Sequence, residues 1–520
     1  MSIALAARIE RLVFGVRRAG VNLGIVFACL CAVSVVPVFL VRVAPLSDTV
    51  NHLARMYRIA VGDGDQYLSA FYAIEWQILP NLAMDLIMPP LARLFDVYRA
   101  GQIFMAGTLI LLASGPMAIQ YALRRRLGVW PLTVFLILYN QVFLVGLANY
   151  FVGVGVAMWG LAAWIMLAER NALLRLAVSA VFVAAIFLCH LSALGLYGLA
   201  IGSFSLQRWH AEGRRLDWRI LREVAILAVP TLPVVPLLLG TSTWGLAQEL
   251  EWSPQGKLDA LLMIFRTYAD GPDLAILVLS GAALAWAVRR GLVSFHPAAL
   301  VLAVVGGLAF MAMPTILFGS YMADQRIPVA LLMMLIGFGS LDERDPAIRY
   351  GFLALVLGFS AIRVGGVSVH WMHLARSHEE IRAAVQHVER GAKILVAYAD
   401  EPIGDTVEQD SLAHAPCVAV IERSALVSTL FSVPGKQILR VREAYRDRVD
   451  TEDGTPPNVS ALVAEATVDG LRTGHYWDGW EDKHDYVMVL HAAADAPNPD
   501  PELLSLVAEG QGFQLYAIQR

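Results

Sequence analysis

GVNLGIVFACLCAVSVVPVFLVRVA, Gly20 to Ala44, runs directly into PLSDTVNHLAR, Pro45 to Arg55, and this junction decides how the chain is read. The first segment is apolar for longer than the roughly 20 residues that a helix needs to cross a bilayer core. Arg8, Arg11, Arg17 and Arg18 precede it, and no small-residue cleavage pattern follows it. It therefore reads as a retained first span, not a cleaved signal peptide. The second segment turns polar at once. Asp48, His52 and Arg55 stand at i, i+4 and i+7, which is one face of a helix lying just beyond the membrane.

The same apolar habit continues outward. Of 520 residues, 57% are hydrophobic and 16% charged, and the mean hydropathy is +0.58. A soluble domain carries about 25% charged residues. The deficit is concentrated in residues 20–370, whereas 371–520 resemble an ordinary soluble domain. Span lengths predict about eleven transmembrane helices. They fall at 20–43, 100–123, 129–148, 150–168, 174–189, 191–207, 223–243, 273–289, 296–318, 327–341 and 350–369. Tight hairpins near Asn149-Tyr150 and His190 divide the two longest runs, and some halves are short enough to be broken or re-entrant.

Loop arginines set the orientation. Arg124, Arg125 and Arg126 share one side with Arg170 and Arg175, with Arg208, Arg214, Arg215, Arg219 and Arg222, and with Arg289, Arg290, Arg344 and Arg349. The alternate loops are poor in Lys and Arg. The expected architecture is a polytopic α-helical protein of the inner (plasma) membrane with a cytoplasmic N-terminus. Residues 1–370 form the membrane domain, with a large first outer loop at 45–99, and 371–520 a soluble extracytoplasmic α/β domain. The net charge of −4 gives no sign of a nucleic-acid partner. Cys29, Cys31, Cys189 and Cys417 are too scattered for a disulfide framework or zinc site.

In the C-terminal part, Ser377-His378-Glu379-Glu380 reads as a capping box opening a helix. Strands are expected at Lys393–Ala399, Cys417–Ile421, Gln437–Val441, Tyr486–His491 and Phe513–Ile518, with helices at 459–470 and 501–509. That alternation suggests a small mixed sheet with helices packed on it.

The polar groups that can carry chemistry gather on the outer face. A carboxylate at the membrane surface, Asp48, is placed to take a proton from an acceptor hydroxyl while a lipid-linked donor lies in the bilayer. Arg55 and Arg326 suit a phosphate, since the guanidinium fork matches its oxygens. His190, between two apolar runs, is an ionisable group near membrane depth, and such groups are often functional. The bland readings stand beside these. Asp48 and His52 can cap a helix, Arg55 can pair with Asp48 or with headgroups, His190 can wet a turn, and Asp324 with Arg326 can be a local ion pair. Loop 244–272, with Glu249, Glu251, Trp252, Arg266, Tyr268 and Asp270, suggests an amphipathic interfacial helix from Lys257 to Tyr268. Asp63-Gly64-Asp65 has the form of a metal-binding DxD and equally of a polar turn. No phosphate-binding Gly-rich loop or GxSxG elbow is present.

Three groups of residues carry a resemblance: Asp48 with His52 and Arg55, Cys189-His190-Leu191-Ser192, and Asp324-Gln325-Arg326 at the head of a late span. With the span pattern and large first outer loop, they resemble the GT-C superfamily of membrane glycosyltransferases, in particular the aminoarabinose-transferase and protein O-mannosyltransferase type. The resemblance implies that Asp48 is the catalytic or metal-associated carboxylate. It implies substrate contacts by His52, Arg55, His190, Asp324 and Arg326, and it admits a divalent cation. The expected partners are a polyprenyl-phosphate-linked sugar, an extracytoplasmic acceptor (lipid, polysaccharide or protein) and membrane lipids. Two adjacent acidic residues, frequent in that superfamily, are missing: Ser47 and Thr49 flank Asp48. The competing readings are a non-catalytic membrane component of envelope polysaccharide assembly and a transporter or flippase. A transporter favours internal repeats and mid-span charges.

Overall fold

The computed structural model describes residues 22–213, 224–241, 243–244, 250–318, 320–400, 406–451, 455–465, 474–493 and 495–520. Arg8, Arg11, Arg17, Arg18, Arg214, Arg215, Arg219, Arg222, Glu249 and the second half of the expected helix 459–470 lie outside them.

The apolar runs fold as helices, because inside a bilayer every backbone polar group must be satisfied within its own segment. The long helices are α1 (Leu23–Leu40), α4 (Val97–Arg124), α5 (Ala148–Met166), α6 (Ala172–Cys189), α7 (Leu191–Ala211), α8 (Asp270–Arg289) and α11 (Pro346–Ala384). Six of these, all but α7, are long and apolar enough to cross a membrane. The expected spans 296–318 and 327–341 are shorter helices, α9 (Ala298–Ala312) and α10 (Arg326–Phe338). Segment Val224–Leu239 is helical with an interruption at Pro230 and Pro233. Exposed side chains such as Ile25, Val33, Leu274, Val278, Leu300 and Leu308 give the bundle an apolar outer surface, as a lipid-facing belt requires.

The run 129–148 crosses the bundle from the β2–β3 end to Asp48, but not as one helix. It forms a 3₁₀ segment (Trp130–Leu136) and one helical turn (Gln141–Leu144), buried inside the bundle. Apolarity there reports burial among other helices, not contact with lipid. Arg363, in the middle of α11, stabilises the break: its Nη1 donates to the carbonyls of Tyr139 and Phe265, at 3.0 Å each, and lies 3.5 Å from Asp273. The sequence reading did not single out this mid-span charge pair.

At one end of the bundle, β2 (Val293–Phe295) pairs antiparallel with β3 (Gly339–Leu341), and Gln120 Nε2 donates to the Gly339 carbonyl at 3.1 Å. Arg124–Arg126 and Arg344 gather at this end. Asp48, His190 and Arg326 lie at the other.

Residues 45–99 form α2 (Thr49–Val61) and α3 (Ala83–Leu94), with a short strand β1 (Tyr72–Ile74) between them. The C-terminal residues build a five-stranded mixed sheet in the order β5-β4-β7-β9-β8. Its strands are β4 (Lys393–Tyr398), β5 (Leu426–Val427), β7 (Tyr486–Leu490), β8 (Leu504–Gly510) and β9 (Phe513–Ile518). Several local expectations are corrected. Residues 501–509 supply edge strand β8 instead of a helix, paired antiparallel to β9. Cys417–Ile421 is not a strand, since Val418–Arg423 is helical. The strand expected at Gln437–Val441 is β6 (Leu439–Val441), and it joins β1 of the outer loop instead of the main sheet. Ser377 opens no helix, because α11 passes unbroken through it. The expected helix 257–268 reduces to Gly256–Leu262. The β1–β6 ladder ties residues 45–99 to the C-terminal region, and this brings residues more than 300 positions apart into one site.

Candidate active site at the junction of α2, α10 and the C-terminal region

Asp48 occupies the N-cap position of α2, yet its side chain makes no capping hydrogen bond. Its backbone N–H instead donates to the Val145 carbonyl at 3.2 Å. Gly146 follows with φ +102°, and a Cβ there would stand 3.1 Å from Asp48 N and 3.2 Å from Asp48 Cβ. The segment 130–147 thus presses directly on the backbone of Asp48. The carboxyl itself turns toward the C-terminal region, where Oδ1 lies 3.8 Å from His414 Nε2. The side chain keeps 21% exposure, enough for a small group to reach it. Burial lifts its pKa to about 7; the nearby positive charges of Arg326 and Arg55 oppose the rise, and Asp410 adds slightly to it. The remaining opening tempers that rise.

The other predicted residues divide. Arg326, the first residue of α10, is buried; its Nη2 donates to the Tyr321 carbonyl at 2.8 Å and its Nη1 lies 2.9 Å from His190 Nε2. His190 is at once the C-cap of α6 and the N-cap of α7, and its Nδ1 accepts from the Ser192 N–H at 3.1 Å. An imidazole accepts at one nitrogen at most, so the tautomer decides whether His190 accepts from Ser192 or from the Arg326 guanidinium. Tyr150 packs edge-on against His190 and donates its hydroxyl to the Arg326 carbonyl at 2.7 Å.

Arg55 is fully buried. Its Nη2 donates to Asp85 Oδ2 at 2.8 Å, while Nε and Nη1 have no partner. Its ion pair is therefore with Asp85, not with Asp48. His52 is 8% exposed, with an unpartnered Nδ1 and its ring edge-on to Phe431. Burial, then the charges of Arg55 and His414, hold its pKa well below the usual histidine value, so it stays neutral. Asp324 does not face Arg326 at all. It is fully buried against Lys257, with Nζ 2.7 Å from Oδ2, and Lys257 also donates to the carbonyls of Phe310 and Met313. The structure thus gathers Asp48, His52, Arg55, His190 and Arg326 and sends Asp324 elsewhere.

Asp65 caps the short helix Gln66–Phe71, accepting from the Tyr67 and Leu68 N–H groups, and also accepts from Ser424 Oγ at 2.6 Å. Asp63 is exposed, 3.6 Å from Arg58. The DxD sequence is thus a polar turn. Among the described residues, no three His, Cys, Asp or Glu side chains stand together as a metal site. Asp48 itself is surrounded by guanidinium groups. This donor set does not fit a divalent cation.

Sequence reasoning missed Asp85, Asn51 and His414. Asp85 is signalled by nothing except an Arg on the preceding helix; His414 and Asn51 become visible only when the C-terminal region is folded onto α2.

A narrow cleft of about 30 Å³ runs between α1 and α4, lined by Val38, Phe104 and Thr108, and reaches Thr49, His52 and Gly146 beside Asp48. Its walls are almost wholly apolar.

No protein-family model matches this chain, and no curated protein is similar to it in sequence. Among solved structures it is similar to that of ArnT from Cupriavidus metallidurans in the apo state, an aminoarabinose transferase of the GT-C class. The superposition covers 95% of this chain and 97% of that one, at a TM-score of 0.52 and 15% identity. From membrane bundle to C-terminal sheet, the chain has the fold of that membrane glycosyltransferase.

Proposed function

We propose that the protein is an inner-membrane glycosyltransferase that moves a sugar from a polyprenyl-phosphate donor to a hydroxyl of an extracytoplasmic acceptor, with Asp48 as the general base. The observation that carries this reading is the state of Asp48. It sits where a helix cap would sit, makes no cap, and points a half-sheltered carboxyl at a site assembled from four distant segments. A carboxyl whose pKa is about 7 is matched to taking a proton near neutral pH.

In the reaction, the acceptor oxygen forms a bond to the anomeric carbon as its proton passes to Asp48. The bond from that carbon to the donor phosphate oxygen breaks, and the phosphate leaves with the electron pair. Arg326 meets the leaving phosphate beside His190, and the free Nε and Nη1 of Arg55 add positive potential from behind. The large first outer loop and the C-terminal region, on the side away from the loop arginines, bind the acceptor. The similarity in fold to ArnT supports this class of reaction over a transporter, and the buried Arg363–Asp273 pair holds the backbone break at Tyr139.

Purified protein given a lipid-linked sugar donor tests the proposal. Asp48→Asn keeps shape and should retain the fold while lowering transfer by about 10²-fold or more, the usual contribution of a positioned base. Activity within a few-fold of the parent would remove Asp48 from the mechanism.

A further inference from the structure

The C-terminal region does more than cover the site. Asn51, fully buried on α2, is held in one orientation by two backbone groups of the segment after β5. Its Oδ1 accepts from the Phe431 N–H at 2.8 Å, and its Nδ2 donates to the Thr429 carbonyl at 2.8 Å. The amide therefore cannot flip without losing both bonds. Its remaining N–H points at His414 Nδ1, 3.1 Å away. Because that nitrogen accepts, the hydrogen of the neutral ring belongs on Nε2. Nε2 is the atom that faces Asp48 Oδ1 at 3.8 Å. The Phe431 ring, edge-on to His414 at 4.7 Å, fixes the plane of the imidazole.

We propose that His414 is a positioning residue for Asp48, its tautomer set by Asn51 so that Nε2–H is presented to one carboxylate oxygen while the other is left free for the incoming proton. This rests on Asp48 being the base. The 3.8 Å separation closes to a hydrogen bond with a small turn of either side chain once the carboxylate is ionised, since a charged acceptor draws the donor in. His414 does not itself take the proton, since burial keeps its pKa at about 4 and its one basic nitrogen is occupied by Asn51.

The groups facing Asp48 are Arg55 from α2, Arg326 from α10, and Asp410 and His414 from the C-terminal region; His414 also faces His52. Against that background, a donated hydrogen bond favours the ionised carboxylate and lowers its pKa. His414→Leu should therefore raise the titration midpoint of Asp48 by about one unit or more, the worth of a hydrogen bond to a charged group. His414→Gln, whose amide N–H reaches the same point, should restore most of the shift. The midpoint is read without substrate, on the full-length protein in detergent, as the protonated-carboxyl infrared band lost in Asp48→Asn. An unmoved midpoint, or equal movement in the Leu and Gln variants, overturns the proposal, because a space-filling role cannot tell those two apart.

Nitrogen-15 histidine spectra of the unmutated protein give a second readout. The resonances lost in His414→Gln should show a bare Nδ1 and a protonated Nε2; the opposite tautomer overturns the proposal even if His414→Leu fails to fold. Transfer activity of Asp48→Asn separates the two levels. If that variant is inactive and the midpoint is unmoved, only the positioning role falls. If it is active, the base itself is elsewhere and both fall.

Discussion

Gly146→Ala probes the placement of Asp48 without touching any ionisable group. At φ +102° a residue with a Cβ is strained, at a cost on the order of 1–3 kcal/mol. The new methyl would also stand 3.1 Å from Asp48 N, 3.2 Å from Asp48 Cβ and 3.5 Å from Leu46 Cβ. Carbon contacts settle at roughly 3.5–4.0 Å, so relief requires Asp48 to move by about half an ångström, away from Gly146. Since a misplacement of about 1 Å can cost about 10²-fold in rate, half of it should cost about tenfold. The assay pairs thermal unfolding of the purified variant with sugar transfer from a lipid-linked donor. Gly107→Ala, inside α4, is the control: nothing lies within 4 Å of its added methyl, so it should leave transfer unchanged and stability equal or slightly higher. A Gly146→Ala protein that is destabilised as expected, yet transfers sugar within twofold of the parent, would refute the idea that this contact aims the base.

Two further outcomes are expected. Burial raises the folded pKa of Asp48 from the ordinary value of about 3.9 to about 7, so between those limits the folded chain binds more protons than the unfolded one. The contribution of Asp48 to stability is present below pH of about 4 and is lost as pH rises through about 7. Thermal unfolding should therefore find Asp48→Asn more stable than the parent at pH of about 8, with the gain vanishing near pH 4. Lys257→Met should leave Asp324 buried and unpaired, costing about 3–5 kcal/mol in unfolding experiments, although neither residue lies in the site.

What the sequence revealed follows from distance along the chain. The Asp48, His52 and Arg55 face was legible because helical periodicity is local, and the structure does turn His52 and Arg55 inward on α2. The His190 junction was legible because a polar residue between apolar runs has few places to go. Partners were not: Arg55 finds Asp85 on the next helix, and Asp324 finds Lys257, 67 positions upstream, instead of Arg326 two residues away. Short apolar runs were ambiguous for a different reason. Five residues such as Cys417–Ile421 fit a strand or a buried helical turn equally well, and only packing chooses. The run 129–148 shows the same limit at greater length, since hydrophobicity gives the depth of burial but not the backbone path.

The charge arrangement explains why the site is built across two regions of the chain. A carboxyl buried alone would be protonated and useless as a base; beside Arg326 and Arg55 alone, it would be too acidic to accept a proton readily. Here burial dominates and the two guanidiniums partly offset it, which leaves Asp48 near neutrality. On the proposed reading, an anionic donor would engage the same guanidiniums, and their hold on Asp48 would weaken as the phosphate takes up their charge. The carboxyl would then become a stronger base only when the donor is in place. That coupling needs a carboxyl free of other tasks, and the missing helix-cap bond meets this need. It also needs its environment to be closed from above, which the membrane bundle cannot do alone. The β1–β6 ladder meets that need by seating His414, Phe431 and Asp410 over α2.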